Sequence, residues 1–113
     1  MKIIDKSIPR EELKHMAARI FVNMVKAVVD IDRGLLAVDA ELHSDLEALL
    51  LEGGSAQNSL WGINLYPDLT GEQFVEFDSM INLRPSQNNR SRSVEDPAIR
   101  RKIIQWVEKR VSQ

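Results

Sequence analysis

The segment Lys26–Asp39, KAVVDIDRGLLAVD, decides the fold. Its two short runs, Lys26–Ile31 and Leu35–Asp39, are rich in the aliphatic and β-branched residues that are typical of strands. Asp32-Arg33-Gly34 separates the runs, and glycine readily takes the positive φ of a tight turn. The segment therefore predicts a β-hairpin, and a hairpin implies antiparallel pairing.

Helical patterns lie on both sides of this hairpin. Before it, apolar residues recur at helical spacing over about residues 9–23, and Pro9 suits the first turn. After it, Asp96-Pro97 is a typical helix start, and an apolar stripe that begins at Ile99 predicts a C-terminal helix. The sequence thus predicts one helix near each end of the chain.

The segment Glu41–Glu52, ELHSDLEALLLE, fits two structures. Ser44-Asp45-Leu46-Glu47 matches a capping box and Gly53 suits a helix end, which favours a short helix over about residues 44–52. The residues also alternate in a way that permits a strand, and a strand here would add a member to the sheet. Both structures stay open from the sequence.

A second hairpin is predicted further along the chain. Leu60–Tyr66 is a strand candidate ended by Pro67, and Phe74–Arg84 is its partner. Lys2–Ile4 is a candidate for a short edge strand. The chain is therefore predicted to be a single α+β domain over residues 1–113. Its mainly antiparallel sheet would have about four strands, with the N-terminal and C-terminal helices packed on one face.

The other face of this sheet is expected to carry polar groups, and the sequence leaves undecided whether that face is open. Side chains alternate along a strand, so Phe74–Arg84 would place acid, amide and guanidinium groups on one surface. The ligand-binding candidates on these strands are Asn64, Tyr66, Glu76, Asp78, Asn82 and Arg84. The loop that follows adds Gln87, Arg90 and Arg92. Arginine holds carboxylates and phosphates through paired hydrogen bonds, which predicts an anionic ligand, although a solvated face with cross-strand ion pairs explains the same residues.

No metal site and no cofactor are predicted. His43 lies between Glu41 and Asp45, but a metal site needs more ligands than one histidine and a few carboxylates, so His43 is expected to be exposed near a helix start. The chain has no cysteine, which excludes disulfides, thiolate zinc sites and a cysteine nucleophile. The two tryptophans are expected to be core or interface anchors.

Charge is distributed unevenly along the chain. Residues 1–83 contain 7 Lys/Arg and 14 Asp/Glu, a net charge of −7, whereas residues 84–113 contain 8 and 3, a net charge of +5. The basic segment either meets an anion, an acidic partner or nucleic acid, or simply balances the acidic body. The sequence pI of about 5.7 argues against nucleic acid as the partner.

The chain shows no targeting signal. It becomes charged within its first residues, without the apolar region of a secretory signal, and no apolar run approaches the roughly 20 residues of a membrane helix. A cytoplasmic protein without a membrane partner is therefore predicted.

The leading functional prediction is a small binding or interaction module that contacts an anionic ligand or a protein partner. A homo-oligomer is also expected, because open sheet edges often pair. One alternative is a small enzyme with Asp78 or Glu76 as general base and Arg84 as the clamp for its substrate. Another is a nucleic-acid-associated regulator that uses the basic C-terminal segment.

Two runs of the chain carry a resemblance to a known family. They are Leu60–Pro67, LWGINLYP, and Asp78–Gln87, DSMINLRPSQ. Through them, and over nearly its whole length, the chain resembles a family of short uncharacterised prokaryotic proteins that is catalogued as a domain of unknown function. The resemblance implies a stand-alone prokaryotic cytoplasmic protein. It implies no activity, cofactor or catalytic residue.

Overall fold

The computed structural model describes residues 1–113. The strands are β1 (Lys2–Ile4), β2 (Ile8–Pro9), β3 (Val25–Asp30), β4 (Leu35–Val38), β5 (Leu60–Leu65), β6 (Val75–Glu76) and β7 (Val111–Ser112). Five of them form an antiparallel sheet with the spatial order β1-β4-β3-β5-β6. The helices are α1 (Arg10–Ile20), α2 (His43–Glu52) and α3 (Pro97–Arg110). The predicted α+β class, with both terminal helices on a mainly antiparallel sheet, is confirmed, and the sheet has one strand more than the estimate of about four.

Helices α1 and α3 cover one face of the sheet because each carries an apolar stripe. Leu13 and Met16 of α1 and Ile103 and Val107 of α3 are buried. They pack in one cluster with strand residues that point to the same face, including Ala27, Val29, Leu36, Val38, Trp61 and Ile63. Burial of each large apolar side chain contributes about 1.5–3 kcal/mol, so this larger of the two apolar clusters is the main source of stability.

The opposite face is also covered, so a helix packs on each face of the sheet and not on one face alone. Leu46 and Leu50 of α2 pack there against Val28, Ala37 and Leu60. Both central strands, VKAVVD in β3 and LWGINL in β5, are nearly continuous apolar runs, and such runs are typical of strands buried on both faces. The strand composition therefore requires a second covering layer.

The predicted strand Phe74–Arg84 is wrong beyond its first residues. Only Val75 and Glu76 pair with β5, and the chain then leaves the sheet to form a 3₁₀ turn at Met80–Asn82. The Asn82 side chain accepts a hydrogen bond from the Gly62 N–H at 2.8 Å and donates to the Gly62 carbonyl at 2.9 Å. The amide thus occupies the backbone groups that a longer β6 would use.

The helix prediction for residues 44–52 is confirmed by α2, and the strand alternative is wrong. The helix begins at His43 with Leu42 as its N-cap, and no side chain caps it, so the predicted capping box does not form. Helix α1 ends at Ile20, earlier than residue 23, because Val22 has a φ of 74° that no α-helix contains. None of the helices combines the length and apolar content that spanning a membrane requires.

Helix α3 docks on the turn of the β3–β4 hairpin. Trp106 Nε1 donates to the Ile31 carbonyl at 2.9 Å, and Arg110 Nε donates to the Gly34 carbonyl at 2.8 Å. Gly34 has a φ of 68°, and a Cβ there would lie 2.5 Å from the Trp106 ring. The glycine is required both for the turn and for this close approach. The parallel pair β2–β7, with Ile8 opposite Val111, joins the two ends of the chain beside it.

Gly34→Ala is expected to lower the free energy of unfolding by about 2–5 kcal/mol, because it combines backbone strain with a clash against Trp106. Gly71→Ala is the matched control: Gly71 has a φ of 62° and nothing within 4 Å of an added Cβ, so only strain of about 1–2 kcal/mol is expected. Urea unfolding of both variants measures the difference. Equal losses would contradict the role of the Trp106 contact.

Candidate functional site

The predicted ligand-binding residues do not form one site. Asn64 and Tyr66 meet Glu76 at the β5–β6 edge, where the Asn64 amide and the Tyr66 hydroxyl donate to Glu76 Oε1 at 2.9 and 3.0 Å. Burial, and then the hydrogen bond and charge of Glu76, raise the pKa of Tyr66, so its phenol stays protonated. Two internal donors therefore share Oε1 of Glu76, while Oε2 forms no hydrogen bond inside the protein.

The side chain of Asn82 forms its hydrogen bonds inside the protein, so the geometry does not favour its predicted role as a ligand contact. The residue has no exposed surface, and its amide binds Gly62 on one side and donates to the Arg92 carbonyl at 3.0 Å. A buried amide whose polar atoms are already paired has nothing left to offer a ligand.

Arg84 and Gln87 also form hydrogen bonds inside the protein, so the geometry does not favour their predicted role as ligand contacts. Arg84 donates to the carbonyls of Ile81 and Leu60, forms an ion pair with Glu47 at 3.6 Å, and donates to Gln87 Oε1 at 3.1 Å. Burial lowers the pKa of Arg84, but guanidinium stays protonated in proteins. The Arg84 guanidinium thus links its own segment to Leu60 at the start of β5, and each of its three nitrogens already donates a hydrogen bond inside the protein.

Asp78, Arg90 and Arg92 lie in the exposed part of the predicted site. Arg92 Nε donates to Asp78 Oδ1 at 2.7 Å, and about half of each side chain is exposed. Arg90 is exposed and uses only its backbone N–H, which donates to Glu95 Oε2 at 2.9 Å. Hydrogen bonds from Ser91 and then from that N–H lower the pKa of Glu95. Of these residues, Arg92 is the one that reaches a cavity.

A cavity of about 160 Å³ lies between the start of α2, strand β3 and the segment of residues 78–92. Its polar lining consists of Lys26, His43, Ser44, Ser79 and Arg92, and its apolar lining of Leu42, Met80 and Ile81. Lys26 lies directly across from Asn64 in the β3–β5 pairing, but neither Asn64 nor Glu76 lines the cavity, and Arg92 is the predicted residue that does. The structure therefore brings part of the predicted constellation next to residues that the prediction did not include.

His43 is buried, so the expectation of an exposed histidine is wrong. Its Nε2 lies 2.8 Å from the Ile63 carbonyl, and because a carbonyl only accepts, Nε2 carries the proton. Burial lowers the pKa of His43, Lys26 and Arg92 lower it further, and the Ile63 carbonyl and Asp78 oppose this. The ring is therefore neutral at pH 7, and its Nδ1, which forms no hydrogen bond in the protein, can act as an acceptor.

A sequence signal for His43 exists within α2. His43, Leu46 and Leu50 are spaced by three and then four residues and are the buried residues of the helix. Helical spacing thus places His43 on the apolar face of α2. If the segment is taken as extended, His43 instead lies between Glu41 and Asp45 on a polar face, and this signal is lost. Lys26 gave no comparable signal, because it lies in a run that predicts a strand.

Hydrogen-bond donors dominate the polar lining of the cavity. Lys26 Nζ lies 5.1 Å from the centre of the Phe21 ring and has no acidic side chain within ion-pair distance. Arg92 and the two serine hydroxyls add donors to the same space. The structure contains no group of three or more His, Asp or Glu side chains arranged to hold a metal ion.

These features define a small α+β protein with a cavity, lined by Lys26 and Arg92, beside the segment of residues 78–92. The sequence matches the family described as proteins of unknown function, DUF5674, over residues 2–110, and the chain belongs to that family. The resemblance seen in the sequence is thereby confirmed, while its prokaryotic source stays a prediction. No curated protein and no solved structure matches the chain.

Acid is expected to destabilise the protein through His43. Because the folded-state pKa of His43 is lowered, its stabilising contribution is complete above the unfolded value near 6.5 and is lost as pH falls through the folded-state value. His43→Gln, whose amide can still donate to the Ile63 carbonyl, should remove this slope of at most about 1.4 kcal/mol per pH unit. Urea unfolding between about pH 5 and 8 measures it. His15→Gln, at an exposed histidine, should keep the wild-type slope, and a wild-type slope in His43→Gln would contradict the assignment.

Proposed function

We propose that this protein is a small binding protein that holds an oxyanion in the cavity between α2 and the segment of residues 78–92. One observation carries the proposal: Lys26, a half-buried cation without an acidic partner, lines the same cavity as Arg92. Partial burial of an ammonium group without a counter-charge costs free energy, which a bound anion offsets.

Neutral donors support the same ligand. Ser79 Oγ accepts from the Ile81 N–H at 3.3 Å, which leaves its own proton free for a ligand oxygen, and Ser44 presents a second hydroxyl. The first turn of α2 has no side-chain cap, which leaves backbone N–H donors there, while the Asp45 carboxylate in the same turn offsets part of the positive end of the helix dipole. Asp78 balances Arg92, so Lys26 is the uncompensated positive charge of the site.

Other concavities of the surface use their cations internally. Arg33, beside β1, donates to the Gly53 carbonyl at 3.1 Å and to Ser55 Oγ at 3.2 Å. Arg100, near β6, donates to the Val94 carbonyl and to Ser93 Oγ, and it stacks over the Phe77 ring. The cavity at Lys26 differs from both because its lysine forms no hydrogen bond or ion pair inside the protein, and its ammonium group contacts only the face of the Phe21 ring.

The other functional predictions stay hypotheses. An enzyme with Glu76 or Asp78 as general base gains no support, because these carboxylates accept hydrogen bonds from Asn64, Tyr66 and Arg92. The protein partner, the homo-oligomer and the nucleic-acid role rest on sequence arguments alone. The cytoplasmic location follows from the composition and is likewise a proposal.

Sulfate is the probe for this proposal, because it does not titrate near neutral pH. It is titrated against the protein at constant ionic strength, with chloride as the replaced ion, and amide NMR signals are followed. We expect shifts centred on Lys26, Ser44 and Ser79. Lys26→Met, which keeps the apolar stem, should weaken sulfate binding about tenfold, or about 1.4 kcal/mol.

Lys102→Met is the matched control, because Lys102 is an exposed lysine of α3 outside the cavity. This variant should bind sulfate like the wild type. Scattered shifts over the surface, or equal weakening in both lysine variants, would contradict a built oxyanion site and indicate general charge attraction instead.

A further inference from the structure

The cavity has an apolar rim as well as a basic interior. Leu42 and Met80 both line it, and they remain 54% and 61% exposed. Single exposed apolar residues are ordinary on protein surfaces, but these two share one opening with the uncompensated charge of Lys26. A purely polar anion would leave both side chains in water, so the lining fits a ligand with two kinds of surface.

Both rim residues lie on ordered backbone. Leu42 is the N-cap residue of α2, and Met80 begins the 3₁₀ turn that Asn82 fastens to Gly62. Ser79, directly before Met80, donates its backbone N–H to the Arg92 carbonyl at 3.0 Å. The rim is therefore preorganised, and contact with it requires little ordering of the backbone.

Size and charge limit the ligand further. The cavity volume of about 160 Å³ is close to the roughly 150 Å³ of an engineered apolar cavity that takes up benzene. The charged and titratable groups that face His43 are Lys26, Asp78 and Arg92, and the Asp78–Arg92 pair is balanced. With neutral His43, one positive charge is left over, and a single negative charge on the ligand balances it.

We propose that the ligand is a compact monocarboxylate with an apolar body of about the size of one ring or a short acyl chain. Its carboxylate lies between Lys26 and Arg92, and its apolar body lies against Leu42 and Met80. This inference rests on the proposed oxyanion-binding function and adds the chemical class of the ligand.

The test compares acetate, butyrate and hexanoate at about pH 7 and constant ionic strength, with sulfate titrated in parallel. Each buried methylene increases affinity about fourfold, so hexanoate should bind at least tenfold more tightly than acetate, with the largest NMR shifts at Leu42 and Met80. Met80→Gln, of similar length but polar, should lower the hexanoate-to-acetate affinity ratio at least threefold. Leu51→Gln, at an exposed leucine of α2 outside the cavity, should keep the wild-type ratio.

The outcomes separate the two proposals. If sulfate binds at the cavity but acetate and hexanoate bind equally, the monocarboxylate inference is overturned and the oxyanion site stands. If neither sulfate nor any carboxylate binds there, both are overturned. A hexanoate preference that persists in Met80→Gln would overturn the placement of the apolar body on this rim.

Discussion

The segment of residues 78–92 and the cavity beside it depend on one interaction, the pairing of the Asn82 side chain with the Gly62 backbone. Gly62 lies within β5, and its N–H and carbonyl both bond to Asn82. The amide thus satisfies backbone groups that a further strand pair would otherwise satisfy. A Cβ at Gly62 would lie 2.5 Å from Ser79 Cβ, so the missing side chain is what lets the chain cross the sheet here. The crossing brings Ser79, Met80 and Arg92 to the start of α2.

The helices and the central hairpin could be predicted because their signals are local. Helical spacing and turn chemistry each act within a few neighbouring residues, as they do around Gly34. The end of β6 could not be predicted in this way, because the alternation in Phe74–Arg84 fits a strand equally well. What ends the strand is a contact between residues 20 apart in the chain, and no local pattern encodes it.

The site shows why polarity alone was an incomplete guide to function. Asn82 and Arg84 provide hydrogen bonds to backbone carbonyls inside the fold. Only the tertiary structure determines which carbonyls lack a backbone partner and need such a side chain. His43 illustrates the reverse error, since its position on the apolar stripe of α2 became meaningful only with the helix established. Arg92 could be predicted because its loop is rich in arginine. Lys26 became a candidate only from the structure, which shows that this half-buried lysine has no acidic partner.

The short parallel pair between β2 and β7 has a consequence for the order of folding. Pairing Ile8 with Val111 closes a loop of about a hundred residues, whereas the hairpin that pairs Asp30 with Leu35 closes a very short one. The difference in closure entropy is about 2–3 kcal/mol, so the pair is unfavourable until the sheet and both terminal helices have assembled. It is therefore a late contact, and it raises the contact order of the chain further. Protection of its amides from hydrogen exchange would report that the whole molecule, and not merely the sheet, is complete.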